Sequence, residues 1–61
     1  MYYQEFGPWR NKHGYKITLA MIDDMFVLKT LTPYSTKKIT YHWCEQSVEK
    51  QIELYNQDRI Y

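Results

Sequence analysis

The sequence predicts an α+β fold, a three- or four-stranded antiparallel sheet with one C-terminal helix packed on one face, in the order (β)βββα. Three observations predict it. Two strand-like runs, Tyr15 to Ile22 and Met25 to Thr32, meet at Asp23-Asp24, which sets Met21 opposite Phe26, Leu19 opposite Leu28 and Ile17 opposite Thr30. Those side chains then share one face, because strand residues alternate with period two. The run Thr36 to Trp43 alternates Ile39, Tyr41 and Trp43 with Lys38, Thr40 and His42, the pattern of a further strand with one buried face. At Cys44 the apolar period lengthens to about 3.6, the period of a helix.

Taken in order, Tyr2 to Phe6 reads as a short strand, ended by Gly7-Pro8 because proline has no donor for a sheet ladder. Trp9 to Gly14 reads as a loop, with His13-Gly14 turning into the next strand. The two central strands are rich in β-branched and aromatic residues that suit a pleated surface. Pro33-Tyr34-Ser35 is a turn into the last strand. In the helix, Cys44, Val48, Ile52 and Tyr55 form an apolar stripe, with Glu45, Glu49 and Glu53 beside it. The glutamates repel one another along the helix, so it needs the sheet to stay folded. The expected core is Leu19, Phe26, Leu28, Ile39, Trp43, Val48 and Ile52.

Sixty-one residues make a single domain, residues 1–61, with a thin stability margin, since so short a chain buries only about 60% of its unfolded surface. Its single cysteine excludes an intrachain disulfide, which leaves association as a source of extra stability. Hydrophobic residues at 44% and aromatics at 18% are too many for a disordered tail. A net charge of +1 gives no global attraction to nucleic acid or anionic membrane. The distribution is uneven, +3 over residues 1–43 and −2 over residues 44–61. The start, Met-Tyr-Tyr-Gln-Glu-Phe, lacks the pattern of a signal peptide, and Leu19 to Leu28 is too short and too charged to span a bilayer. A reducing, cytoplasmic location with no membrane association is expected.

No cofactor is expected, and no catalytic set is visible. The only glycines, Gly7 and Gly14, cannot build a phosphate loop. His13, His42 and Cys44 lack metal-ligand spacing, so no metal is expected either. His42 and Cys44 lack a third orienting group for thiol catalysis, and Cys44 is expected to be a buried cysteine on the core side of the helix. Asp23-Asp24 reads as a turn.

Ala20, Ile22, Met25, Val27 and Leu31 fall on the face opposite Leu19 and Leu28, so the hairpin is apolar on both sides and one helix can cover only one. Either Tyr2 to Phe6 folds over the second side or that side is a contact surface. Lys16, Lys29 and Lys38 are expected on the same side, where lysines commonly prevent sheet aggregation. The leading expectation is a non-enzymatic protein-binding regulator or inhibitor that also has reason to self-associate, with Trp9, Ile22, Met25, Val27 and Leu54 as contact residues. Small stand-alone chains of this kind are often encoded by phages or mobile elements; that expectation of origin rests on size alone, and no motif in the sequence supports it. The alternative is a nucleic-acid-binding module using Trp9, Arg10, Lys12, Lys16, Lys29 and Lys38, which combine aromatic stacking with phosphate contacts.

Overall fold

The structure, a computed structural model, describes residues 2–59. Four strands, β1 (Tyr3–Arg10), β2 (Lys16–Ile22), β3 (Met25–Leu31) and β4 (Lys37–His42), form one antiparallel meander in which each pairs with its sequence neighbour; the helix α1 (Glu45–Asn56) follows. The β2–β3 register is the one the sequence predicts, with Ile17, Leu19 and Met21 opposite Thr30, Leu28 and Phe26. Asp23 makes the tight turn by adopting φ 54°, a left-handed conformation that aspartate tolerates better than most residues. Its carboxylate accepts a hydrogen bond from the Tyr2 N–H at 2.9 Å, and its own N–H donates to the Tyr2 carbonyl at 2.8 Å, which anchors the start of β1 to the hairpin tip.

The first strand does not stop at Gly7-Pro8. The pair forms a bulge opposite Thr18, with Gly7 at φ 96° and a cis bond to Pro8, after which Trp9 and Arg10 pair again with Ile17 and Lys16. A bulge inserts extra chain without ending the ladder, so the expected loop from Trp9 to Gly14 shrinks to the turn between Arg10 and Lys16. β1 is therefore an edge strand beside β2 and does not fold over the sheet.

The helix lies on the face carrying Ile17, Leu19 and Leu28 and packs over β3 and β4. Cys44 precedes it in an extended conformation and offers no side-chain cap. Its first turn is held instead by Ser47, whose hydroxyl lies 2.6 Å from His42 Nδ1, while His42 Nε2 lies 2.7 Å from the Thr40 hydroxyl. At the other end the Asp58 N–H donates to the Tyr55 carbonyl and the Arg59 N–H to the Leu54 carbonyl, with Asp58 at φ 57°, the arrangement of a Schellman cap. Asp58 stands where glycine is usual, and its carboxylate accepts the Tyr15 hydroxyl at 2.7 Å. Asn11 completes the clasp: its amide nitrogen donates to the Tyr55 carbonyl at 3.0 Å and its amide oxygen accepts the backbone N–H groups of His13 and Tyr15. The helix is thus tied to β4 at one end and to the β1–β2 turn at the other.

The core consists of Tyr15, Ile17, Leu28 and Tyr55, all fully buried, with Leu19 and Ile52 packed against them and Val48 buried nearby. The Tyr15 and Tyr55 rings stack with centroids 5.4 Å apart. Two expected core members lie elsewhere: Ile39 and Trp43 are on the outside, 55% and 76% exposed. The turn after β3 sets this parity. With Thr32 and Thr36 closed by a 2.9 Å backbone bond, Lys38 pairs with Thr30 and Ile39 with Lys29, so Thr40 and His42 point inward and the apolar residues of β4 outward. The inward polar groups are satisfied by one another and by Ser47, which removes the usual cost of burying them. The inversion also moves Lys38 to the helix side, leaving Lys37 beside Leu31 in its place.

Burial first, and then the bond to Asp58, hold the Tyr15 phenol proton well above its ordinary pKa. An unfolded tyrosine loses its proton near pH 10. Above that pH the unfolded chain binds fewer protons than the folded one, so this group's contribution to stability falls as pH rises. Melting temperatures measured from pH 8 to 12 are expected to decline beyond about pH 10, and Tyr15→Phe is expected to flatten that decline. An equally steep decline in the variant would show that Tyr15 is not the group responsible.

Candidate partner interface on the open sheet face

The sheet face away from the helix is built as four cross-strand rows. Starting at the hairpin tip, Ile22 and Met25 pair beside Tyr3; the next row is Glu5, Ala20, Val27 and Tyr41. Beyond the bulge come Thr18, Lys29 and Ile39, and last Arg10, Lys16, Leu31 and Lys37. No element of the described chain packs on these rows, yet they carry Tyr41 at 64% exposure, Ile39 at 55% and Leu31 at 41%. Tyr3 is also exposed, and its hydroxyl donates to Glu5, which raises the phenol pKa. Ala20 and Val27 are buried in mid-row even without a helix above them.

Of the five expected contact residues, Ile22, Met25 and Val27 come together here, with Val27 as buried floor. Trp9 and Leu54 do not join them. Trp9 pairs with Ile17 and so lies on the helix side, and Leu54 is half-buried on the helix itself. Parity reversal in β4 supplies what the sequence reading missed: Ile39 and Tyr41, which alternation had assigned inward, are the open face's own large apolar groups. The alternative basic set also divides. Arg10, Lys16 and Lys29 share this face, Lys38 and Trp9 lie on the other side, and Lys12 stands at the exposed β1–β2 turn.

A concavity of about 350 Å³ runs beside the helix between Phe6, Leu19, Met21 and Phe26 on the sheet and Glu45, Val48, Glu49 and Ile52 on the helix. It exists because α1 packs over β3 and β4 and leaves the apolar residues of β1 and β2 half covered. Cys44 is exposed, contrary to its expected burial: it sits one residue before the helix, where the backbone is extended and the 3.6 period does not yet apply. Both ring nitrogens of His42 are occupied by the hydroxyls of Thr40 and Ser47, so its hydrogen bonds serve the helix start and none reaches Cys44. Among the described residues no three His, Cys, Asp or Glu side chains cluster to hold a metal ion, and no helix is long and apolar enough to cross a membrane. In comparisons with known proteins, no family model, no curated protein and no solved structure matches the chain.

Proposed function

We propose that this chain is a non-enzymatic protein-binding regulator or inhibitor, acting in the cytoplasm, whose contact surface is the open sheet face. The observation that carries the reading is the large apolar and aromatic content of that face, Tyr3, Ile22, Met25, Leu31, Ile39 and Tyr41, with no element of the described chain above it. Contiguous apolar surface of this kind marks interaction sites, and interface energy concentrates in a few large anchors. Self-association through the same face is one form of the proposal. Nucleic-acid binding is the second reading, favoured by Arg10, Lys16 and Lys29 sharing the face with Tyr41.

The test is affinity capture from the source cells with nuclease treatment, alongside sedimentation of the purified chain. A protein retained in stoichiometric amount, or a dimer, is expected; Ile22→Asp is expected to abolish either, and Trp9→Ala to leave both intact, with circular dichroism confirming the fold. Capture that disappears with nuclease, or survives Ile22→Asp, would refute the reading.

A further inference from the structure

The open face is polarised along its strands, and its basic end has a shape of its own. Lys16, Lys29 and Lys37 line a depression of about 450 Å³ together with Thr18, Leu31 and Ile39, and the chain at Thr30 and Lys38 also borders it. Lys16 and Lys37 flank Leu31 in one row, two strand spacings or roughly 10 Å apart at the backbone, and Lys29 stands one row away, roughly 8 Å from each. Arg10 extends the row past Lys16. Glu5 is the only acid in the four rows, and it lies toward the opposite end.

Edge protection does not account for this cluster. Lysines that guard a sheet against aggregation belong on edge strands; Arg10 and Lys37 stand on the edge strands β1 and β4, but Lys16 and Lys29 are on β2 and β3, the two central strands, and complete a cluster that edge protection alone does not require. Like charges at neighbouring cross-strand positions destabilise a sheet, and the face supplies no acid next to them. The arrangement is costly alone and favourable with an anion over it.

We infer that this basic depression receives the carboxylates of an acidic segment of a partner protein, whose apolar side chains rest on the Ile22, Met25 and Tyr41 end of the same face. Charge complementarity selects an acidic partner. Apolar content selects a polypeptide over a nucleic acid, because a phosphate backbone would leave Ile22, Met25, Leu31 and Ile39 without a matching surface, and the cations cluster at one end instead of tracking a strand across the sheet. Ile22 and Lys16 are six residues apart on β2, so the partner's apolar anchor and its acids are separated by about 20 Å. The inference rests on the protein-binding reading and adds the partner's chemistry to it.

The experiment is selection of a random twelve-residue peptide library on the immobilised full chain, followed by titration of the best peptide against the wild type, a Lys16→Gln, Lys29→Gln, Lys37→Gln triple variant, and Ile22→Asp. A dT12 oligonucleotide is titrated in parallel. Enriched peptides are expected to carry Asp or Glu toward one end and Leu, Ile, Phe or Trp toward the other, to bind the triple variant at least tenfold more weakly, and to lose binding to Ile22→Asp. Enriched peptides without acids that bind the triple variant equally well, but still need Ile22, would overturn the acidic segment and leave the protein-binding reading standing. No enriched peptide, with dT12 bound through the three lysines, would overturn both in favour of nucleic acid. A stable dimer that buries the face and excludes every peptide would assign it to a second copy of the chain and overturn the acidic segment.

Discussion

Leu28→Ala is expected to remove a large share of the protein's stability and to lower its melting temperature steeply. Leu28 is fully buried at the centre of β3, paired with Leu19 and packed with Tyr15, Ile17 and Tyr55. Truncating such a leucine costs about 2 to 5 kcal/mol, the lost transfer energy plus the cavity left behind. A chain of this length has a total margin of roughly 3 to 9 kcal/mol. Ile39→Ala, on the same sheet but outside, is expected to cost less than about 0.5 kcal/mol. Thermal melts of the two variants check both the core and the inverted parity of β4: an Ile39 variant that unfolds while the Leu28 variant persists would place the core on the wrong face.

Gly7→Ala is the second large effect. At φ 96° an alanine is strained wherever it points, at a cost of about 1 to 3 kcal/mol. The added Cβ would also meet the Ile17 carbonyl oxygen and Trp9 Cε3, each at 2.9 Å, so the bulge cannot absorb it without moving β1 away from β2. Gly14→Ala is the comparison. Its φ is 88°, but the new Cβ would meet only Pro33 Cβ at an ordinary 3.5 Å, so it carries the conformational cost alone. Urea titration is expected to rank Gly7→Ala well below Gly14→Ala; equal midpoints would show that β1 yields freely at the bulge.

The central hairpin was legible because two independent signals agree there: alternation on both arms, and two turn residues between them that fix the register. The helix was legible from its 3.6 period, correct from Glu45 onward and misleading by one residue at Cys44. In β4 the same alternation pointed the wrong way. The turn after β3 sets its polar residues inward, and they are tolerated there because Thr40, His42 and Ser47 satisfy each other, a network that spans two elements and leaves no mark on the local pattern. Gly7-Pro8 read as a strand end because a bulge and a break share the same residues. The site followed suit: Ile22, Met25 and Val27 came from the hairpin and were placed together, whereas Trp9 depended on the path of β1 and Tyr41 on the parity of β4.

The clasp of Asn11 and Tyr15 on Tyr55 and Asp58 has a kinetic consequence. Every strand pairing joins neighbours along the chain and closes only a short loop, so the meander can zip up in sequence from the β2–β3 turn. The clasp instead joins residues 43 and 44 positions apart. It works as a reversible substitute for the disulfide that a single cysteine cannot make, tying the last helical turn back to the first half of the sheet. As the longest closure, it is expected to form after the local pairings, and its opening is expected to leave them in place. Native-state hydrogen exchange should therefore release the amides of α1's last turn through an opening that leaves the β2–β3 ladder protected.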